Sequence, residues 1–212
     1  GSDFVGGGAP LNDSTGQLAV ASPLQIVGAV FDVKPDDAGG WYIGGDFTKV
    51  GTTTRNKLAR INADGTLHPW NPNVSGDYGG AYSSVRALGV SGTTVYAGGD
   101  FTTIGGVGRN YLAAIDADGG LLPWNPNANG HVSALAVSGT TVYAGGQFST
   151  IGGTSRRFLA AIDADGGVLA WNPNPNADYE YIRAFAVSGS TVYVAGGFTT
   201  IADAGRNYLA AF

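Results

Sequence analysis

The sequence has no cysteine, no methionine and only two histidines among its 212 residues. Without cysteine the chain can form neither a disulfide nor a thiol nucleophile, although this does not assign a compartment. His68 and His131 stand at non-equivalent places, which excludes a zinc site of the usual His and Cys type. Because methionine is absent, we expect a segment excised from a larger or processed protein, with Gly1-Ser2 resembling a cloning scar.

Charged residues are also scarce, and they are mainly acidic. The chain has 11 Lys and Arg against 16 Asp and Glu, for a net charge of −5. Phosphate binding needs a concentrated basic surface, so nucleic acid is not an expected partner. No apolar run approaches the roughly 18 residues that cross a bilayer, and the first residues lack a signal-peptide pattern. Direct membrane insertion is therefore not expected.

Glycine is abundant, with 36 residues, and it recurs at fixed points of a repeated unit. The unit contains a Gly-Gly-x-Phe step, an Arg-Asn-x-Leu-Ala step, an Asp-Gly turn and a Trp-Asn-Pro-Asn step, with some variation, and the fourth copy contains the first two of these steps. The phenylalanines that mark the four units are 54, 47 and 50 residues apart: Phe47, Phe101, Phe148 and Phe198. A period near 50 with several short strands per unit predicts an all-β fold, a β-propeller with one blade per repeat.

Each unit is predicted to form four antiparallel strands. In the second unit these are Val85–Val90, Thr94–Gly98, Tyr111–Ala117 and Leu121–Trp124. Ser-Gly pairs connect the first two strands of the units, and Asp-Gly pairs connect the last two, since glycine supplies the positive φ of hairpin turns. The strands are nearly continuous in apolar residues, as expected for blades buried on both faces by their neighbours.

The ends of the chain predict how the ring closes. The sequence stops at the third strand of the fourth unit, and residues 17–21 near the N-terminus resemble the missing outer strand, with Val20 at the tryptophan position. We therefore expect a lead-in over residues 1–12 and one four-bladed propeller over residues 13–212, monomeric and closed by an N-terminal strand. The alternatives are an incomplete arc that dimerises and a part of a larger ring.

Three motifs of the repeat carry a resemblance to a known family. They are Gly-Gly-Asp-Phe-Thr-Thr-Ile-Gly-Gly, Arg-Asn-Tyr-Leu-Ala-Ala-Ile-Asp and Leu-Pro-Trp-Asn-Pro-Asn, all found within residues 98–127. Over residues 13–212 the chain resembles the bacterial delta-60-type repeat, a propeller repeat of unknown function. The resemblance implies a large secreted or surface-attached bacterial protein. It supplies no catalytic residues, because the family has none established.

Most of the repeated polar and aromatic residues have structural interpretations. The tryptophans Trp70, Trp124 and Trp171 are expected to fill the space between neighbouring sheets. The Asp-Ala-Asp-Gly turns resemble the start of a calcium loop but lack its further ligands, so we expect hairpin turns and no cofactor beyond a weak surface calcium. Asp46 and Asp100 each precede an arginine by nine residues, Arg55 and Arg109, which predicts a repeated Asp–Arg contact.

The loops that enter the inner strands vary between units, and they carry the candidate ligand-binding residues. In a four-bladed ring the second and fourth units face each other, so Arg86 and Arg183 would converge with these loops on the mouth of a central channel. The equivalent residues in the other two units are interpreted as Gly28 and Ser133. Tyrosine, acidic and arginine side chains on such loops form a plausible binding surface. The candidate residues are Arg86, Arg183, Asp77, Tyr78, Tyr82, Asp178, Tyr179, Glu180, Tyr181 and His131.

These observations favour a non-catalytic interaction or adhesion module that binds a protein or a cell-surface glycan. A glycosidase would need two carboxylates at a defined separation, and no spacing singles out such a pair. The sequence has no Gly-x-Ser-x-Gly elbow and no phosphate-binding loop. A purely structural spacer is the main alternative, and a carbohydrate-active enzyme is the weaker one.

Overall fold

The computed structural model describes residues 24–76, 83–176 and 182–212, and within these ranges it contains strands and turns but no helix. The candidate residues Asp77, Tyr78, Tyr82, Asp178, Tyr179, Glu180 and Tyr181 lie outside the described residues, and so does the predicted closing strand. The strands are β1 (Ile26–Pro35), β2 (Trp41–Val50), β3 (Thr53–Thr54), β4 (Leu58–Ile61), β5 (Val74–Ser75), β6 (Val85–Ser91), β7 (Thr94–Gly99), β8 (Thr103–Ile104), β9 (Val107–Gly108), β10 (Leu112–Ile115), β11 (Val132–Ser138), β12 (Thr141–Gly146), β13 (Thr150–Ile151), β14 (Thr154–Ser155), β15 (Leu159–Ile162), β16 (Ile182–Ser188), β17 (Thr191–Gly196), β18 (Thr200–Ile201), β19 (Ala204–Gly205) and β20 (Leu209–Ala211).

The long strands form one antiparallel sheet per repeat, here called blades 1 to 4. Blade 1 consists of β1, β2 and β4; blade 2 of β6, β7 and β10; blade 3 of β11, β12 and β15; blade 4 of β16, β17 and β20. The second strand is central in every blade, as in a meander of consecutive hairpins. The short strands form outer hairpins, and β5 of the first repeat pairs with β8 of the second, which links these two repeats through backbone hydrogen bonds.

The blades pack face to face in chain order, with β6 against β1, β11 against β6 and β16 against β11. Every junction has the same contact. A glycine on the central strand leaves room for two apolar side chains from the inner strand of the next blade: Gly44 faces Val85 and Leu88, Gly98 faces Val132 and Leu135, and Gly145 faces Ile182 and Phe185. The repeated glycines are therefore required by close packing between sheets.

The tryptophans occupy these junctions, as predicted. The ring nitrogen Nε1 of Trp70 donates to the carbonyl of Asp116 at 2.9 Å, and that of Trp124 donates to the carbonyl of Asp163 at 3.0 Å. Each acceptor belongs to the Asp-Gly turn of the following repeat. The tryptophan thus joins two blades by a hydrogen bond as well as by burial of its ring.

The all-β propeller predicted from the sequence is confirmed, and the first three strands of blade 2 lie within a few residues of the prediction. The predicted fourth strand is reduced to a single antiparallel bridge in each of the first three repeats, for example between Ile115 and Leu121. In the first two of these repeats proline follows two residues later, where its missing N–H would end any longer ladder; the third repeat has Ala170 at that place. No helix in the described part of the chain is long and apolar enough to cross a membrane.

Candidate functional site

Each inner strand carries one bulged residue, at the same place in the four blades. In blade 2, Val85 pairs with Gly99 and Ala87 with Gly98, so that Arg86 between them has no partner in the ladder. The same register identifies the bulged residues of the other blades, which are Phe31 in blade 1, Ser133 in blade 3 and Arg183 in blade 4. The sequence interpretation that placed Gly28 at this position was therefore wrong, because β1 extends further toward the N-terminus than the repeat predicts.

Arg86 forms an ion pair with Asp100, which follows the central strand of its own blade. Nε of Arg86 donates to Oδ2 of Asp100 at 2.5 Å, and the hydroxyl of Ser84 donates to the same oxygen at 2.7 Å. The Asp100 side chain is 16% exposed, whereas that of Arg86 is 47% exposed. The carboxylate thus anchors the inner end of the guanidinium, while the rest of the group is accessible to solvent.

The anchoring leaves donors of Arg86 available. A guanidinium has five N–H groups in a fixed plane, and only the Nε group of Arg86 makes a hydrogen bond within the described residues. Its two terminal nitrogens can therefore reach an external acceptor. Because the carboxylate already fixes the plane of the group, a ligand that accepts from these nitrogens orders little of the side chain on binding.

His131 approaches the other oxygen of Asp100, with Nδ1 3.8 Å from Oδ1. Burial lowers the pKa of His131 below the ordinary value of 6.5; the Asp100 carboxylate acts in the opposite direction and the Arg86 guanidinium acts with burial. The imidazole is therefore neutral at pH 7. A neutral ring offers one donor and one acceptor rather than a second positive charge beside Arg86.

These residues border a cavity of 610 Å³ between the inner strands of blades 1, 2 and 3, here called the three-blade cavity. Its wall combines an aromatic ring, carboxylates, amides and the arginine. The lining residues are Phe31, Asp46, Ser84, Arg86, Asp100, Tyr111, Asn129, Gly130, His131 and Gln147.

The polar groups of the cavity differ in whether they already make ion pairs or hydrogen bonds within the chain. Asp46 is paired with Lys57 at 2.6 Å, and the side-chain Oδ1 of Asn129 accepts from the backbone N–H groups of Ser149 and Thr150. Gln147 makes no side-chain hydrogen bond within the described residues, so its amide has both a donor and an acceptor free. The cavity therefore presents fixed charges and an adaptable amide on the same wall.

The structure brings two of the three described candidate residues together and separates the third. Arg86 and His131 both line the three-blade cavity, where each lies next to Asp100. Arg183 is an exposed residue of blade 4 and is not among the residues that line this cavity. Its blade has Gly197 where blade 2 has Asp100, so the carboxylate that anchors Arg86 has no counterpart there.

The predicted contact between Asp100 and Arg109 is wrong. Nη1 and Nη2 of Arg109 donate to the backbone carbonyls of Gly108 and Leu122, at 2.9 and 3.1 Å. Arg55 and Arg156 make the equivalent contacts with the carbonyls of their own repeats. These arginines therefore bind backbone carbonyls of their own repeats. Asp100 and Asp46 pair instead with Arg86 and Lys57.

The acidic turns also use their carboxylates within the chain. Oδ1 of Asp116 accepts from the backbone N–H groups of Asp118 and Gly120, and Asp163 does the same in the next repeat. The hairpin-turn interpretation of these motifs is thus confirmed at both places. No group of three or more His, Asp or Glu residues that could hold a metal ion occurs within the described ranges.

Sequence reasoning missed Phe31, Asp46, Ser84 and Asp100 as parts of the site. Asp100 and Arg86 are separated by 14 positions and become neighbours only because the bulge places Arg86 beside the residue that follows the central strand. One signal was available. The residue before phenylalanine in the Gly-Gly-Asp-Phe step is aspartate in the first two repeats, glutamine in Gly-Gly-Gln-Phe of the third and glycine in Ala-Gly-Gly-Phe of the fourth, so this position of the motif varies between repeats.

Comparison with known families finds one match. A profile described as a β-propeller domain of unknown function (DUF5122) matches residues 39–69 and 94–121, in the first two repeats. No curated protein matches the chain.

Two solved structures give weak likenesses. A structure titled "YCF48 bound to D1 peptide" shares 11% identity at a TM-score of 0.42 and is covered by this chain over 55% of its own length, with 88% of this chain aligned. The computationally designed Ika8 protein shares 14% identity at a TM-score of 0.36, with 89% of this chain and 71% of that chain covered. The four repeated antiparallel sheets and the matching family profile together identify the chain as a β-propeller.

Proposed function

We propose that this propeller is a non-catalytic binding module that recognises a glycan through the three-blade cavity, as part of a secreted or surface-attached bacterial protein. The observation that carries the proposal is the anchored, half-exposed guanidinium of Arg86 in a cavity that also contains an aromatic ring and a free amide. The resemblance to the delta-60-type repeat supports the location.

The chemistry of the cavity suits a ligand with many hydroxyl groups. A sugar hydroxyl both donates and accepts, so it can pair with a carboxylate such as Asp46, with the terminal nitrogens of Arg86 and with the Gln147 amide. The ring of Phe31 is about half exposed and can cover the apolar face of a pyranose ring. An acidic sugar would gain most, because its carboxylate can accept two hydrogen bonds from one guanidinium.

The size of the cavity favours a small ligand over a flat protein surface. Its 610 Å³ lies in the range of small-molecule sites, about 300 to 1,000 Å³. A stable protein interface buries on the order of 800 Å² on each partner and is centred on an apolar patch. The polar wall around Arg86 offers no such patch, so a protein partner is the second candidate.

The first experiment is a glycan-array screen of the purified domain, with and without added calcium. We expect reproducible binding to a saccharide that is independent of calcium, since the described carboxylates of the turns are engaged by backbone N–H groups. The affinity for the best saccharide is then measured by isothermal titration calorimetry.

Three variants give the titration its controls. Arg86→Ala should weaken binding at least tenfold, because it removes the anchored donors, and Arg86→Lys should recover only part of the affinity, because an ammonium cannot pair bidentately. Arg183→Ala is the matched control: it removes an arginine at the same register position of another blade, and we expect its affinity to equal that of the wild type. Equal affinity of folded Arg86→Ala protein and wild type would refute the site.

A silent array would move the proposal to a protein partner or to a spacer without a ligand. A pull-down with the domain would then separate these two, since a spacer retains nothing specific. The weaker enzymatic alternative has its own readout, which is the release of reducing ends from the saccharides of the array. We expect none.

A further inference from the structure

The two end blades expose apolar side chains whose counterparts are buried in the inner blades. Leu209 of blade 4 is 58% exposed, while the equivalent Leu58, Leu112 and Leu159 are fully buried against the following blade. Tyr208 and Tyr193 on the same side of blade 4 are also exposed. These three residues define the front face of blade 4, the side that every other blade turns toward its successor.

Blade 1 exposes the opposite side. Val33 and Trp41 are 43% and 42% exposed, whereas their counterparts Leu88 and Val95 in blade 2 are fully buried against blade 1. Val30, the counterpart of Val85, is only partly buried. Val30, Val33 and Trp41 define the back face of blade 1, the side that the other blades turn toward their predecessor.

The two faces are complementary in size as well as in polarity. At the three internal junctions a glycine faces a pair of side chains that includes Leu88, Leu135 or Phe185. The position equivalent to these glycines in blade 4 is Ala195, and the position equivalent to the large side chains in blade 1 is Val33. In a junction of the same kind, Ala195 would face Val30, which equals Val85 and Val132 in size, and Val33, the smallest of the four inner-strand side chains at its position.

We propose that the front face of blade 4 docks on the back face of blade 1 of a second copy of this chain. The interface continues the packing of the three internal junctions, with Val33 against Ala195 and with Leu209 and Tyr193 covered as Leu112 and Tyr96 are. Within the described residues, blade 4 of the same chain does not cover blade 1, since both faces are exposed together. Among the described residues, a monomer, which the sequence favoured, leaves both apolar faces uncovered.

A dimer of this kind satisfies both faces of both copies. Each copy contributes one front face and one back face, so that two equivalent junctions close a ring with two-fold symmetry. The interface is unlike a self-complementary patch, because no residue of the front face contacts another front face. This difference makes the arrangement testable by blocking one face at a time.

The experiment is mass measurement by analytical ultracentrifugation over a range of concentrations. The wild type is expected at twice the mass of one chain, dissociating on dilution. Leu209→Asp blocks every front face and Val33→Asp blocks every back face, so each variant alone is expected as a monomer. Val107→Asp is the matched control, because Val107 is 50% exposed but belongs to neither of the two faces. This variant should remain a dimer.

Mixing the two blocked variants distinguishes this arrangement from other dimers. The Val33→Asp copy retains a front face and the Leu209→Asp copy retains a back face, so an equimolar mixture should form a dimer with one junction, weaker than the wild type. A wild-type chain that stays monomeric at all concentrations would overturn the proposal. So would a Val33→Asp protein that still dimerises by itself, since that result requires front faces to pair with each other. Circular dichroism of each variant confirms that it is folded.

Discussion

Blade 2 and blade 4 have nearly the same sequence pattern and the same strand register, but their side chains have different environments. Leu112 is fully buried and Leu209 is mostly exposed; Arg86 is anchored by a carboxylate and Arg183 has a glycine at that place. The difference comes from the neighbours. Each blade of a propeller contributes one surface to each of two interfaces. The free energy of burying its side chains therefore depends on the neighbouring blades as much as on its own residues.

The largest expected effect tests burial at the equivalent leucines. Leu112→Ala should lower the free energy of unfolding by about 2–5 kcal/mol, because it leaves a cavity between blades 2 and 3. Leu209→Ala should change it by less than about 0.5 kcal/mol in dilute protein. Urea denaturation at low concentration measures both. A cost at Leu209 that grows with protein concentration would show that the front face of blade 4 is covered in solution.

A smaller effect is expected at the glycine that receives the next blade. A Cβ at Gly98 would lie 2.8 Å from Cγ1 of Val132 and 3.3 Å from Cδ1 of Leu135. Gly98→Ala should therefore destabilise the domain by about 1–3 kcal/mol through overpacking.

The reverse change at the equivalent position of blade 4 provides the contrast. Ala195→Gly should cost about 0.5–1 kcal/mol, which is the backbone entropy of glycine alone. Thermal unfolding followed by circular dichroism compares the two variants. An equal loss in both would mean that the junction between blades 2 and 3 can move apart at no cost.

The tryptophans give a third contrast, between a hydrogen-bonded ring and one without this bond. Trp124→Phe removes the donor to the Asp163 carbonyl and should cost about 1 kcal/mol more than Trp171→Phe. The ring of Trp171 packs against Tyr143 and Phe212, but its nitrogen donates to no acceptor within the described residues. Paired denaturation curves of the two variants measure the difference, and indistinguishable costs would contradict it.

The smallest expected effect is a change in the pKa of His131. It tests the cluster of Arg86, Asp100 and His131, which blade 4 lacks. Asp100 raises the pKa of His131 and Arg86 lowers it, so Asp100→Asn should shift that pKa further down and Arg86→Ala should shift it up. Proton NMR of the His131 imidazole measures both shifts.

The same group contributes to stability with a definite sign. Because the folded-state pKa of His131 lies below its unfolded value, the unfolded chain binds the proton more readily, so this contribution is present above about pH 6.5 and is lost as the pH falls through the folded value. His131→Gln should remove this part of the acid dependence. An unchanged acid limb in that variant would contradict the assignment.

Much of the fold could be predicted because the same sequence landmarks recur from unit to unit along the chain. Glycine pairs recur in all four units, and Asp-Gly turns and tryptophans recur in the first three, with a nearly constant period, and each constrains the backbone locally. The strand that sequence reasoning overestimated is the fourth, where Leu121 makes a single bridge before Pro123. The register of β1 was misjudged because the first unit lacks the Ser-Gly pair by which the other units can be aligned.

The candidate site could be predicted only in part. Arg86 and His131 were identified because they sit where the repeat is irregular, and the structure places both beside Asp100. The pairing of Arg86 with Asp100 could not be chosen over Arg109 from spacing, because a bulge of one residue decides which side chain meets the carboxylate. Seven further candidates fall outside the described residues and stay predictions.

The sequence by itself determined the repeated unit, its turns and its antiparallel strands, because short-range steric rules and hydrogen bonds fix them within some fifty residues. Only the tertiary structure decided which side chains meet across blades. Identical leucines became core or surface, and equivalent arginines became anchored or solvent-exposed, according to the neighbouring sheet. Contacts between repeats depend on the whole arc, and a period read along the chain contains no information about what lies beyond its first and last blade.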